Sequence, residues 1–298
     1  RQLSDTAEDG WRGLDRVLQA IDGIHADDFF ADWALANYFR DPTTGYGYHT
    51  LSSDIPSVRP IDSIVTYPYE IRRNTAQYST DYFTAFRLGD AQTMTIELTQ
   101  PEAVGLIPAQ VFEGEQMLYA VPNDYADAHL TRTIDLSDVT SATLRFRTWY
   151  DLEEFWDYAY VMVSTDDGAT WDILPATTTR NRNPYHRAYG MGYTGQSFGW
   201  TQETVSLDAY VGQSILLRFE VITDAASIRH GIAIDTITID ELGYTEGFEN
   251  TLDEWNLQGW IRTDNRVPQR AWVQVAQVIG RDVRVSRWLA ETADNTWT

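Results

Sequence analysis

Carboxylates dominate the chemistry this sequence can offer, and four of them crowd together as Asp151, Glu153, Glu154 and Asp157. Clustered oxygen donors suit a hard cation such as Ca²⁺, which takes six to eight of them. A second candidate is Asp235, inside Gly-Ile-Ala-Ile-Asp-Thr-Ile-Thr-Ile at 231–239. There Ile232 and Ile234 share one parity, and Ile237 and Ile239 the other, so the pattern predicts a β-bulge at Asp235–Thr236. A bulge at that point steers the carboxylate toward the core. A buried carboxylate needs a partner: Ca²⁺, an arginine, or backbone amides. Asn123, Asp124 and Asp127 stand just before a strand-like stretch and can add oxygens. The expected metal set is therefore Asp235, Asn123, Asp124, Asp127, Asp151, Glu153 and Asp157.

Other chemistries find no support. The five histidines are His25, His49, His129, His186 and His230, and none lies in His-Glu-x-x-His. A zinc site of that type, and with it the corresponding peptidase centre, is absent, so no catalytic residue is assigned. There is no Gly-x-Ser-x-Gly, and with no Cys neither a thiol nucleophile nor a disulfide is available. Pairs of acids alone do not make a glycosidase, because the carboxylate separation that would matter is not a property of sequence.

Binding is the other possibility. Tyr185, Tyr189, Tyr193, Phe198 and Trp200 punctuate a long stretch rich in Asn, Arg and Gly. They can stack on a glycan, anchor a protein partner, or fold down as the loop's own small core. The net charge of −22, with 44 Asp+Glu against 22 Lys+Arg, argues against nucleic acid or an anionic membrane as partner. No apolar run is long enough for a membrane-spanning helix. Residues 1–5 lack the pattern of a signal peptide, so the expectation is a mature or excised fragment, or export directed elsewhere.

The elements that must position these groups are mostly strands. Hydrophobic content of 43% over 298 residues is enough for a real core. Residues 158–163 form an uncharged run of β-branched and aromatic residues, read as a strand buried on both faces. Asp166-Asp167-Gly168 then closes a hairpin, placed centrally in an antiparallel sheet. Residues 164–171, Ser-Thr-Asp-Asp-Gly-Ala-Thr-Trp, match the Asp-box pattern once; a single copy supports a self-capped turn rather than a propeller. Further strands are expected at 116–120, 142–149, 171–174, 201–206, 214–221 and 232–239. In 214–221, Ile215, Leu217, Phe219 and Val221 share a face. Short strands separated by turns imply a sandwich or jelly roll.

Flanking this are two helices, at 9–22 with Gly23 as C-cap, and after Asp27 or Asp28 up to Asp41-Pro42. Each is too short to persist alone and must pack on something. Residues 82–88 and 94–98 alternate, with a hairpin expected at Gly89-Asp90. The tail has strand signal at 255–257, 260–262, 271–279 and 283–288. The division expected is a helical segment at 1–50, a β segment at 51–107, the sandwich at 108–245, and a β segment at 246–298. That last segment would pair with 51–107, so that the sandwich is inserted in a discontinuous domain.

Residues 124–136, 149–153 (Trp-Tyr-Asp-Leu-Glu), 156–161 (Trp-Asp-Tyr-Ala-Tyr-Val), 164–171, 192–195 (Gly-Tyr-Thr-Gly) and 219–224 follow one order. That order resembles the non-catalytic region of secreted bacterial metallopeptidases of the immune inhibitor A type, with 108–242 similar to their MAM-like jelly-roll domain. Residues 31–38 and 46–48 resemble the end of the peptidase-side region. The resemblance implies an extracellular or cell-surface protein and a mainly β, antiparallel sandwich that often carries Ca²⁺. It implies no activity here. Two departures stand out: Asp235-Thr236 where the family often has paired acids, and Ser197-Phe198-Gly199-Trp200 where it tends to Ser-Gly-Gly-Trp. The expected role is a region that stabilises a peptidase or holds its substrate. The rivals are a self-assembling surface or filament subunit and a glycan-binding module.

Overall fold

The computed structural model describes residues 10–48, 58–86, 89 and 93–298. The chain forms two units, Arg1–Glu102 with Gln269–Thr298, and Ala103–Pro268.

The second unit is an antiparallel sandwich of eleven strands. We label them β1 (Met117–Ala120), β2 (Asp127–Asp135), β3 (Thr143–Asp151), β4 (Tyr158–Ser164), β5 (Asp172–Leu174), β6 (Thr201–Ser206), β7 (Ser214–Ile222), β8 (Gly231–Ile239), β9 (Tyr244–Glu246), β10 (Trp255–Gln258) and β11 (Trp260–Thr263). One sheet has the order β6-β3-β8-β1-β11, with β9 also on β8; the other runs β10-β2-β7-β4-β5. The alternation read in 214–221 sends Ile215, Leu217, Phe219 and Val221 into the core, each at most 4% exposed. Phe219 meets Phe146 of the opposite sheet edge to face, with ring centroids 5.0 Å apart.

All seven residues of β4 are buried. Ala159, Val161 and Val163 face the core. Tyr158, Tyr160 and Met162 lie under Trp171, Ile173 and Ala188 on the other side. The β4–β5 hairpin lies at a sheet margin rather than at its centre, because short β5 is the outermost strand. Its turn caps itself. Asp166 Oδ1 accepts the Thr170 amide at 2.9 Å and Oδ2 accepts the Thr170 hydroxyl at 2.6 Å. These bonds hold the Asp166 carboxyl down at about 2. Trp171 donates from Nε1 to Gly168 O at 3.1 Å.

The tail, expected to pair with 51–107, does so only in part: Val267–Pro268 pairs with Ala103–Val104 and Asp294–Trp297 with Ile96–Thr99, whereas Trp255–Gln258 and Trp260–Thr263 join the sandwich sheets. Trp255 pairs with Arg132 of β2, Trp260 pairs with Ala120 of β1, and both indoles are buried in the main core. Two large aromatics with a buried destination in the sandwich outweigh the proximity of the tail in sequence.

The first unit contains helix α1 (Gly10–Asp22) and helix α2 (Ala26–Phe39). Gly23 at φ 69° ends α1. Asp27 and Asp28 lie in the first turn of α2 rather than capping it. The Ala26 amide is instead taken by Asp15 Oδ1 at 2.8 Å. The helices pack on strands of the same unit: Tyr82 donates to Ala34 O at 2.8 Å and Gln274 to Ala31 O at 3.1 Å. Asp294–Trp297 pairs with Ile96–Thr99, and Ala271–Ile279 pairs with Asp282–Ala290. Phe83–Ala85 pairs in parallel with Asp62–Ile64, so both strands flanking the expected Gly89-Asp90 turn take other partners. Asp90 itself, like His49, lies outside the described residues.

Candidate cation site

Three chain segments meet at one end of the sandwich. Beyond β3 the chain turns through 152–157 into β4, with Glu153 O accepting the amides of Trp156 (3.2 Å) and Asp157 (3.0 Å). The turn is pinned from the long loop: Leu152 N donates to Gly195 O at 2.9 Å, and Phe155 N to Thr194 Oγ1 at 2.7 Å. After β7, Thr223 and Asp224 cross to the 123–126 segment. Thr223 N donates to Ala126 O at 3.0 Å, and Tyr125 N to Asp224 O at 2.7 Å. The Asp224 amide reaches back to Asp157 Oδ1 at 3.0 Å.

The result is that Glu153, Asp157 and Asp224 bring carboxylate oxygens within 4.8 Å of one another. Asp157 is only 4% exposed. Burial pushes its carboxyl up from the ordinary range, and the neighbouring charges of Asp224 and Glu153 push the same way. Arg180 pairs with the adjacent Glu154 at 3.7 Å, and not with this group. Asn123, Asp124, Asp151, Asp157, Asp224 and Arg229 line a cavity of about 10 Å³, room for roughly one water-sized sphere. Crowded like charges, one of them buried, are the arrangement a hard cation relieves, and an all-oxygen donor set is the one Ca²⁺ takes.

Four of the seven expected ligands, Asn123, Asp124, Asp151 and Asp157, line this cavity, and Glu153 belongs to the carboxylate cluster beside it. Asp151 is already engaged: Gln196 Nε2 donates to Oδ1 at 2.9 Å, and His230 Nδ1 lies 2.7 Å from Oδ2. Burial raises the Asp151 carboxyl, but the bonds to His230 and Gln196 win and hold it below its usual range.

Two expected ligands lie elsewhere. Asp127 is exposed and sits 2.7 Å from His129 Nε2. Asp235 is at the predicted bulge, where the β8–β3 register shifts between Asp235 and Thr238 and Thr236 takes φ 48°. It is fully buried. Its Oδ2 accepts the amides of Phe112 (3.0 Å) and Glu113 (3.1 Å), and its Oδ1 accepts the amide of Thr236 (2.7 Å). Burial still raises its carboxyl above the ordinary value. Of the three partners open to this carboxylate, backbone amides are the ones the structure provides.

The long loop splits its aromatics. Tyr193 is buried and donates to Glu203, itself fully buried, at 3.1 Å. Trp200 packs edge to face on Phe112, with centroids 6.0 Å apart, and Tyr185 stacks on Trp156 at 4.6 Å. Tyr189 and Phe198 face solvent at 74% and 91% exposure.

Sequence reasoning overlooked Asp224, His230, Glu203 and the contact of His129 with Glu220. Asp224 closes one of the ordered segments, and that was the available signal. The other contacts arise from strand register and carry no mark in the sequence.

A family profile described as "Immune inhibitor A-like, MAM domain" matches residues 89–265. The chain is 26% identical over 145 residues to the pre-pro-metalloprotease PrtV of Vibrio cholerae, covering 49% of this chain and 15% of that protein. It is 28% identical over 108 residues to bacillopeptidase F of Bacillus subtilis, 36% of this chain and 6% of that protein. It is 25% identical over 152 residues to immune inhibitor A of Bacillus thuringiensis, 50% of this chain and 21% of that protein. The matched region thus spans less than a quarter of each of these relatives.

Proposed function

Because this chain belongs to the immune inhibitor A-like MAM family, we propose that it is a non-catalytic, extracellular region of a peptidase of that type, stabilised by Ca²⁺ and presenting a surface to a substrate or partner. The names of two relatives, a pre-pro-metalloprotease and a bacillopeptidase, support the peptidase context. This sequence contains no His-Glu-x-x-His of its own.

The observation that carries the calcium reading is the convergence of Glu153, Asp157 and Asp224 around a buried carboxylate. In this reading those three residues hold the ion, with Asn123 and Asp124 near enough to the same cavity to complete an oxygen shell. The ion would neutralise charge where the 152–157 turn, the 223–224 segment and the 123–126 segment meet. The test is thermal unfolding in EDTA and then in millimolar Ca²⁺. Binding to the native state alone raises the midpoint by mass action. The rise is expected in the wild type and in Asp235→Asn, and is expected to vanish in Asp157→Asn. No rise in the wild type, or a rise that survives Asp157→Asn, overturns the assignment.

A partner-binding surface is supported by Phe198 and Tyr189, the most exposed aromatics of a loop on which Tyr193 is buried and Tyr185 stacks on Trp156. Glycan-array and peptide-binding measurements on Phe198→Ala and Tyr189→Ala test it. The rival reading, a self-assembling subunit, predicts Ca²⁺-dependent oligomers in size-exclusion chromatography, and a monomer at all concentrations removes it.

A further inference from the structure

We propose a second metal site, for a divalent transition ion such as Zn²⁺, on the outer face of the β2–β7 strand pair, with His129, Asp127 and Glu220 as its ligands. It is independent of the calcium reading and shares no residue with it.

The ligand positions follow from strand geometry. Asp127 and His129 are two residues apart on β2, so both side chains leave the same face. Glu220 is the direct cross-strand partner of His129 on β7. No loop has to move to bring the three together. His129 Nε2 lies 2.7 Å from Asp127 Oδ1 and 3.5 Å from Glu220 Oε2. One ligand atom from each residue falls within 4.8 Å of the others. Two donors bound at about 2.0–2.1 Å from a tetrahedral ion stand roughly 3.4 Å apart. The His129–Glu220 spacing already matches that value, and the His129–Asp127 spacing reaches it by a small rotation of the exposed Asp127 side chain.

Chemistry separates this cluster from the one at the sandwich end. An imidazole among the donors selects Zn²⁺, Co²⁺ or Ni²⁺ over Ca²⁺, whose ligands are oxygens. Glu220 is 9% exposed and held in place. Arg218 Nη1 donates to its Oε2 at 3.1 Å, while Arg218 Nε bonds Thr131 Oγ1 at 3.1 Å and the guanidinium lies 3.7 Å above the Trp171 ring. That cation bonds the same oxygen that lies 3.5 Å from His129 and so orients the carboxylate; a carboxylate oxygen has lone pairs for both a donor and a metal. The guanidinium also keeps two acids and one imidazole from forming an excess of negative charge. Three protein donors leave the fourth tetrahedral position to water, and a net charge of −22 favours cation capture throughout.

The competing description is a histidine held between two carboxylates, with no ion at all. Calorimetric titration of EDTA-treated protein with Zn²⁺, backed by the visible absorption of a Co²⁺ adduct, decides between them. One equivalent is expected to bind, with His129→Ala abolishing it and Asp127→Asn, a change at an exposed position, weakening it at least tenfold. Zn²⁺ at a hundredfold excess over its Kd is expected to raise the unfolding midpoint by about 5–10 °C. Asp157→Asn should leave Zn²⁺ binding intact, and His129→Ala should leave the Ca²⁺ response intact. Absence of binding, or the same stoichiometry and affinity in His129→Ala and Asp127→Asn, overturns the site.

Discussion

Asp235 and Asp157 are both buried acids in one sandwich, and both are pushed toward the neutral form by burial. Their surroundings differ in kind. Three backbone amides converge on Asp235, so its oxygens are occupied by donors that the bulge itself supplies. Asp157 takes the Asp224 amide but has the carboxylates of Glu153 and Asp224 for company. A buried acid surrounded by amides is a structural tie. A buried acid surrounded by acids is a repulsive arrangement, because the same burial that weakens water's screening strengthens the repulsion.

The largest expected effect is at the tie. Asp235→Ala strands the amides of Phe112, Glu113 and Thr236 and is expected to cost about 3–5 kcal/mol. Denaturant unfolding measures it, and the loss should be the same with and without Ca²⁺. A Ca²⁺-dependent loss would collapse the distinction between the two acids.

Next in size is Asp157→Asn. It is expected to cost little in EDTA, and to remove the stabilisation that Ca²⁺ gives the wild type, about 2.7 kcal/mol at a hundredfold excess over Kd. The pH dependence sharpens this. A carboxyl whose folded value is raised contributes stability that is fully present below its unfolded value, about 3.8, and is lost as pH rises through the folded value. In EDTA the wild type should therefore lose more stability than Asp157→Asn as pH climbs above 4. Equal slopes in the two proteins would show that Asp157 does not carry the repulsion.

Asp166 supplies the opposite sign. Its carboxyl is lowered to about 2, so its contribution is present above 3.8 and fades as pH falls toward 2. A carboxyl resonance titrating near 2 by NMR is the expected result, and an ordinary midpoint would mean that the turn does not hold in solution. The smallest effect is at Phe198, where Phe198→Ala should change stability by no more than about 0.5 kcal/mol. A larger loss would show that the ring is packed in solution, and would remove it as a binding residue.

Much of the sandwich was legible in the sequence. The run at 158–163, the alternation of 214–221 and the parity slip at Asp235 each mapped onto the structure within a residue or two. Those features depend on which face a side chain must occupy, and period alone fixes that. The candidate site was legible in part. Asp157, Glu153, Asn123 and Asp124 could be named because their segments flank strands, whereas Asp224 and the His129–Glu220 contact required knowing which strand lies beside which.

The sequence by itself determined that the chain is β-rich and acidic, where the bulge falls, and which family it resembles, since composition, periodicity and ordered motifs are properties of a line of residues. Only the tertiary structure decided that Asp235 is held by three amides while Asp157 lies beside two further carboxylates. It also decided that residues 255–263 complete the sandwich, and that His129 faces Glu220. Partnership between distant residues is set by strand order and register, and these follow from the summed burial of many side chains rather than from any local signal.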